Sequence, residues 1–380
     1  MIELRIAHIT SVIDGRSQSG TARVAKELIS ELSKHGNIHQ VLVHFGLSTD
    51  GVYSLPNIEE LKIPLIYRSI PGRHFISFLI YCLKNRKTLN SLRLDVVHWH
   101  VGRVYPFFWL LPSKSIVITL HDAGGYVLKG VNTLWTRLFR LFMWLSYRRV
   151  NYFLAVSITA RLALFEHASR FRGKLEYLYP ATRIHQLNSR MPITNFPLES
   201  PFILCVSRWQ PHKNVDSLVK AYFKVLEEYP FAPNLVLVGK SIGNYMEIDQ
   251  LLSVVPMKNK VHVLSYVQDA ELRYLYERCY FSVFPSLHEG FGLAVLESMS
   301  LKKAVLVHRY TATAEILGIE ELSIDMTNIS AIADMIAFLI ENPSKVQNFN
   351  NEAFQMSKRF SWDQTAKRLV SLYVKSIGGK

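Results

Sequence analysis

The sequence predicts an α/β chain built from two doubly wound domains. Three observations lead there. Short apolar runs of strand length alternate with longer helix-like segments through both halves, the pattern of a parallel sheet wrapped by helices. The length, 380 residues, exceeds what one hydrophobic core usually serves. Between Thr182 and Pro201 the pattern fades into Asn, Ser and the prolines Pro192, Pro197 and Pro201, which mark a linker. The domains are therefore placed at 1–190 and 191–361, followed by a last helical segment at 362–380.

In the first half, Leu4 to Ile9 is a buried-strand candidate, and the loop from Thr10 to Thr21 leads into a helix from Ala22 to His35. Gly20, at that helix start, is either a plain loop glycine or a point of close backbone approach to a phosphate. The full glycine fingerprint of dinucleotide binders is missing, so a nicotinamide cofactor is not indicated. Further strands read at Gln40 to His44, Asp95 to His100 and Ser115 to Leu120. In a parallel sheet the sites lie at the strands' C-terminal ends. Two such ends carry histidines: His98 and His100, then His121 followed by Asp122 and Gly124-Gly125. Packing or substrate contact suits them better than metal ligation, because no carboxylate or Cys set accompanies them.

Leu134 to Arg149 mixes arginines with Trp, Phe, Leu and Met. On a helix, Arg137, Arg140 and Arg148 fall on one edge. That suits an interfacial helix at lipid phosphates, and it also suits a core helix with one solvated edge. Arg68 to Arg93, basic and aromatic as well, would join the same surface. Asn151 to Ser157 reads as a strand, with Ser157 placed to cap a helix from Thr159. Leu175 to Tyr179 is the last strand of this half.

The second half restarts with a strand from Phe202 to Ser207, followed by Arg208-Trp209-Gln210-Pro211-His212-Lys213-Asn214 and a helix from Asp216. Arg208 and Lys213 flank a strand-to-helix turn, a pairing that fits a diphosphate. Strands follow at Leu235 to Gly239 and Val261 to Tyr266, then a short helix from Asp269 to Cys279. Tyr280 to Phe284 is a strand, and Leu293 to Met299 a helix. Between them, Pro285, Gly290 and Gly292 allow a tight turn, and the helix start offers free N–H groups to an anion. Glu289 lies in the turn and Glu297 about one helical turn further on, so both carboxylates can face one site and accept hydrogen bonds from hydroxyls. Ala304 to His308 is a strand, Glu315 adjoins a helix, and Trp362 to Ile377 is the final helix.

The run His288-Glu289-Gly290-Phe291-Gly292, with Glu297 eight positions after Glu289 and Glu315 beyond, resembles the donor-site signature of the retaining glycosyltransferases of family 4. The resemblance spans the chain, strongly from Phe202 to Leu317 and weakly before Asp95. It implies the GT-B fold, two Rossmann-like domains facing across a cleft, with the last helix crossing back to the first domain. It further implies that Glu289 binds the donor sugar and that His121 matches the acceptor-side histidine, these two being the catalytic pair. Arg208, Lys213 and the turn Phe291-Gly292-Leu293 would hold the diphosphate, Glu297 the ribose hydroxyls, and Ser157 and Gly20 would lie near the donor. The Arg-Trp-x-x-x-Lys-Asn turn looks most like that of bacterial exopolysaccharide mannosyltransferases. The chain departs from the family at Pro180-Ala181-Thr182, where Asn-Gly is usual, and at Lys302-Lys303-Ala304, where Gly-x-Pro is usual.

This resemblance implies a donor, GDP-mannose or a UDP-hexose, and a lipid-linked or polysaccharide acceptor. It implies no further cofactor and no metal, since the chain contains no Asp-x-Asp. Charge supports a membrane surface as partner: residues 1–190 hold 25 Lys and Arg against 11 Asp and Glu, whereas residues 191–380 hold 19 of each. Three scattered cysteines, Cys82, Cys205 and Cys279, suggest a reducing compartment. No signal peptide or apolar run of spanning length is read. The expected location is cytoplasmic, peripheral on the cytoplasmic face of the inner membrane. The competing readings are a non-transferring enzyme of the same fold, such as an epimerase, and a basic nucleic-acid binder. No nucleic-acid motif supports the latter, and nucleic acid is not expected as a partner.

Overall fold

The computed structural model describes residues 3–9, 20–45, 55, 57–65, 73–101, 107–121, 134, 137–138, 141, 149–167, 174–187, 201–240, 250–251 and 258–378. Most of the loop from Thr10 to Thr21, most of the 134–149 segment, Asp122 with Gly124 and Gly125, and the prolines Pro192 and Pro197 lie outside these residues. The chain divides into two compact units, Met1–Pro180 with Ser361–Lys380, and Ala181–Phe360.

The first unit runs β1 (Leu4–Ile9), α1 (Gly20–Leu32), β2 (Ile38–His44), β3 (Ile58–Lys62), α2 (Arg73–Lys84), α3 (Arg86–Ser91), β4 (Val96–Trp99), β5 (Ser115–Leu120), β6 (Tyr152–Ala155), α4 (Ile158–His167) and β7 (Leu175–Tyr177). Its sheet has the order β3-β2-β1-β4-β5-β6-β7, and every neighbouring pair is parallel. β3 is not read from the sequence. Ile-Glu-Glu-Leu-Lys lacks the apolar run of its neighbours because it is an edge strand, half solvated and closed at one side only.

The second unit runs β8 (Ile203–Val206), α5 (Val215–Glu228), β9 (Leu235–Val238), β10 (Val261–Leu264), α6 (Asp269–Arg278), β11 (Phe281–Phe284), α7 (Leu293–Ser300), β12 (Val305–His308), α8 (Ala312–Leu317), β13 (Ser323–Ile324), α9 (Ile329–Glu341) and α10 (Pro343–Ser357). Its six-stranded sheet has the order β10-β9-β8-β11-β12-β13. Here too the paired strands are parallel. Both sheets reverse their winding beside their first strand, so each has a topological switch point, and in the second unit it lies between β8 and β11. β13, α9 and α10 are absent from the sequence reading. A signal for α9 existed: Asn328 caps it, its side chain accepting the Ala331 N–H at 3.2 Å.

The division at Pro180/Ala181 falls earlier than the 190/191 boundary drawn from composition. Its physical reason is Ile184, 3% exposed and packed into a core with Phe202, Leu204, Leu275 and Tyr276. The last helix, α11 (Trp362–Gly378), belongs to the first unit. Thr365 Oγ1 donates to the Tyr179 carbonyl at 2.7 Å, and Arg368 Nε to the Tyr177 carbonyl at 3.0 Å.

Alternation along β4 explains how its two faces differ. Val97 and Trp99 face an apolar core with Phe78, Phe108 and Phe153. His98 lies on the opposite face, where its Nδ1 meets the Tyr373 hydroxyl of α11 at 2.6 Å and its Nε2 meets Thr119 Oγ1 at 2.7 Å. His8 of β1 lies opposite His98 in the register, and its Nδ1 is 2.9 Å from Nε2 of His100. No helix among the described residues is long and apolar enough to cross a membrane.

Candidate functional site

The second unit gathers its site-forming residues where β8 and β11 end, on either side of the switch point. After β8 the chain turns through Arg208 and Trp209 into a short 3-10 helix (Pro211–Lys213) and then α5. Asn214, between the two, sits at φ 55, in the left-handed region that Asn tolerates better than most side chains. Its Nδ2 donates to the Met326 carbonyl at 2.6 Å and lies 3.4 Å from that of Pro285, while its Oδ1 accepts from Ser217 at 2.7 Å. One buried side chain thus joins the β8 turn to the ends of β11 and β13.

A second tie runs through His212. Its carbonyl accepts the Leu287 N–H at 2.9 Å and the Ser286 hydroxyl at 3.3 Å. These bonds fix the loop after β11 against the turn after β8. They bring the Lys213 ammonium onto the Glu289 carboxylate as an ion pair, each side chain less than a fifth exposed. Beside it, Nε2 of His288 is buried without a hydrogen-bond partner among the described residues. Arg208, in contrast, is exposed and makes no ion pair among them.

Two glycines are required by space here. Gly239 (φ 148) follows β9, and a Cβ there would lie 1.8 Å from the Ser207 carbonyl oxygen. Gly292 (φ 106) opens α7, and its Cβ would meet Thr313 Cγ2 at 2.7 Å. No side chain caps α7, so the Leu293 and Ala294 N–H groups form an uncapped positive end. Phe291, 5% exposed, packs edge-on against Phe360 at 5.7 Å. Glu297, one turn into α7, is 3% exposed. Beyond β12, Thr311 Oγ1 donates to the His308 carbonyl at 2.5 Å and contacts Thr313 Oγ1 at 2.7 Å, and Glu315 stands in the first turn of α8.

The first unit collects the others at the C-terminal edge of its sheet. Gly20 is the first residue of α1 and is exposed. Ser157, fully buried after β6, accepts the Ala160 N–H at 2.9 Å and so caps α4. His121, just past β5, is linked through Nε2 to the His100 carbonyl at 2.8 Å, which makes Nε2 the protonated nitrogen. Below it, ring nitrogens of His8, His98 and His100 all lie within 4.8 Å of one another. Both His98 nitrogens are held by hydroxyls and His8 Nδ1 by His100, while His8 Nε2 is buried without a hydrogen-bond partner among the described residues. Burial drives the His8 imidazole down to about 3. Burial and mutual repulsion hold His98 and His100 well below the usual histidine range. All three are therefore neutral at pH 7.

In the sequence Lys213 and Glu289 stand 76 residues apart, one expected at phosphate and one at sugar; the fold places them in contact. Asn214 and His288 stand out in the sequence only as parts of motifs, and Ser286 not at all. The sole sequence signal for Asn214 is an Asn directly before a helix, a position that demands left-handed backbone here. Its partners lie 71 and 112 residues away.

Comparison with known proteins extends these observations. Residues 188–356 match the model of the glycosyl transferases group 1, and residues 18–183 that of glycosyltransferase family 4. The serotype-specific mannosyltransferase WbdA of Escherichia coli is 28% identical over 203 residues, 52% of this chain and 24% of that protein. The O-antigen chain mannosyltransferase RfbU of Salmonella typhimurium is 26% identical over 238 residues, 63% of this chain and 64% of that protein. The matches thus span about a quarter of WbdA and just under two thirds of RfbU. Among solved structures, sucrose-phosphate synthase of Thermosynechococcus elongatus superposes with a TM-score of 0.78 at 16% identity, covering 99% of this chain and all of the other. Anabaena HepE in complex with UDP and glucose does so with 0.74 at 16% identity, over 98% of this chain and all of the other. With two parallel α/β units, the donor-type loop after β11 and both family models in register with those units, this chain belongs to glycosyltransferase family 4 and has the GT-B fold.

Proposed function

We propose that the chain is a retaining glycosyltransferase that moves a hexose, with mannose preferred, from a nucleotide diphospho-sugar to a lipid-linked or polysaccharide acceptor in bacterial cell-surface glycan synthesis. The observation that carries this reading is the Lys213–Glu289 ion pair, set three residues before the uncapped start of α7. An ammonium and a helix N-terminus suit a diphosphate, and the adjoining carboxylate suits sugar hydroxyls. GDP-mannose is the favoured donor and a UDP-hexose the alternative. The mannosyltransferase relatives support the first, and the UDP of the HepE complex supports the second.

In this scheme the bond between the anomeric carbon and the diphosphate breaks, and its electron pair passes to the diphosphate. The acceptor hydroxyl oxygen bonds to that carbon from the face the diphosphate leaves, and its proton passes to a diphosphate oxygen. Lys213, Arg208 and the Leu293 and Ala294 N–H groups stabilise the departing charge. These groups supply positive charge without a divalent ion, so the reaction proceeds without a metal. Glu297 accepts the ribose hydroxyls, and Glu289 orients the sugar. The basic, aromatic first half meets the cytoplasmic face of the inner membrane, where a lipid-linked acceptor resides.

The test is thermal unfolding with UDP, GDP and ADP, each with and without EDTA. A nucleotide at about 100 times its dissociation constant stabilises by roughly 2.7 kcal/mol. One responding nucleotide, indifferent to EDTA, names the base and supports a metal-free site. In transfer assays, Lys213→Ala raises the donor KM and Glu289→Ala lowers turnover, the latter by about a hundredfold or more. Full activity in both variants, or no response to any nucleotide, overturns the assignment.

A further inference from the structure

A polar cavity lies at the N-terminal end of strands β5 to β7 in the first unit's sheet. It has a volume of about 300 Å³, and its lining includes Trp109, Ser113, Lys114, Arg149, Asn151 and Lys174 but, among the described residues, no carboxylate. Lys114 directly precedes β5, Asn151 precedes β6 and Lys174 precedes β7, so three adjacent strands deliver these residues from their N-terminal ends. His121 and Ser157 follow the C-terminal ends of β5 and β6. At about 3.3 Å per residue, the length of β5 separates this cavity from His121 by roughly 20 Å. It is therefore not part of the site described above.

The cavity is framed rigidly. Asn151 Oδ1 accepts the Ile116 N–H at 3.0 Å, and its Nδ2 donates to the Ser376 carbonyl at 3.1 Å. Lys174 Nζ reaches the Val150 carbonyl at 3.0 Å, and Lys114 pairs with Asp95 at 2.7 Å. Arg149 differs from these. Its guanidinium lies 5.8 Å above the Trp109 ring and makes no ion pair among the described residues. A guanidinium fork backed by an aromatic face and flanked by an ammonium is a phosphate receptor.

The rim adds an apolar element. Phe107 is 47% exposed, and its ring centre lies 5.6 Å from that of Trp109. Its backbone sits at φ 59, a conformation that bulky side chains rarely adopt and that costs about 1–3 kcal/mol. The chain thus holds an aromatic ring outward beside a basic cavity, at an energetic cost. Arg148-Arg149 also closes the arginine- and aromatic-rich run from Leu134, in the half that carries the whole positive excess. A free phosphate would need the cations but not the ring. A lipid headgroup uses both, because aromatic rings favour the boundary between headgroups and acyl chains.

We propose that this cavity binds the phosphate of an anionic phospholipid headgroup, with Arg149 and Lys174 as its cations and the Phe107 ring seated at the acyl boundary. The site gives the proposed membrane contact a location, and its failure would leave the donor-site reading untouched.

Flotation of the full chain with phosphatidylcholine vesicles, and with phosphatidylcholine–phosphatidylglycerol vesicles, tests it at fixed ionic strength. Wild type partitions onto the anionic vesicles. R149Q/K174Q reduces that partition by about tenfold or more, and Phe107→Ser weakens it with no change in charge. K302Q/K345Q removes the same two charges from exposed positions of the second unit and keeps the partition within about twofold. Arg149→Gln alone serves as the variant if loss of Lys174 disturbs folding, checked by circular dichroism. Unchanged partition in the Arg149 variants overturns the proposal. So does an equal loss in K302Q/K345Q, which would show diffuse charge rather than a site. If inorganic phosphate raises the thermal midpoint through Arg149 while anionic vesicles bind no better than neutral ones, the cavity takes free phosphate and the lipid assignment falls.

Discussion

Asn214 meets several demands at one position: left-handed backbone, two carbonyl partners for its amide and an acceptor for Ser217. Asn214→Ala loses all of these, and a cost of about 2–3 kcal/mol follows from the lost hydrogen bonds and the left-handed strain. Asn214→Gly keeps the backbone and recovers about 1 kcal/mol of that. Urea unfolding separates the terms. Equal losses in both variants would deny the backbone a role, and a Gly variant as stable as wild type would deny the amide one. At this scale the sequence displayed the charged residues clearly, because Glu289, Glu297, Arg208 and Lys213 stand in a spaced pattern. It hid Asn214 and His288, whose significance depends on partners or enclosure that only folding provides.

Among the elements, β4 shows how a correctly read strand can leave its purpose unread. The run Asp95 to His100 marks a strand, yet which face meets α11 depends on Tyr373, 275 residues away from His98. The outcome is a neutral, buried trio of His8, His98 and His100, and this predicts a pH dependence. In the unfolded chain each takes up a proton near pH 6.5, while the folded values are depressed. The unfolded state therefore binds more protons below pH 6.5. Stability is present above that value and is lost as the pH falls through it. Three such groups remove about 4 kcal/mol between about pH 7.5 and 5.5. Thermal midpoints across that range should fall steeply, and a flat profile would mean the trio titrates normally. β3 and β13 were hidden for a different reason: edge strands are short or half polar, and pairing rather than composition makes them strands.

For the whole molecule, Arg208, Lys213, Glu289, Gly292 and Glu297 belong to the second unit, and the histidine trio and basic cavity to the first. Hydrogen exchange should reflect that division. A binding nucleotide should slow exchange in residues 207–214 and 285–297 and leave the strand starts of β5 to β7 unchanged. Protection confined to the first unit would place the nucleotide elsewhere. The sequence by itself determined the α/β class, the two-domain plan and the family, because strand length, helix period and the spacing of Glu289, Gly292 and Glu297 are local properties. Only the tertiary structure decided the sheet orders, the pairing of Lys213 with Glu289 and the cavity beneath β5 to β7. Each of these depends on contacts between residues far apart in the chain, and local periodicity carries no information about which distant partners will meet.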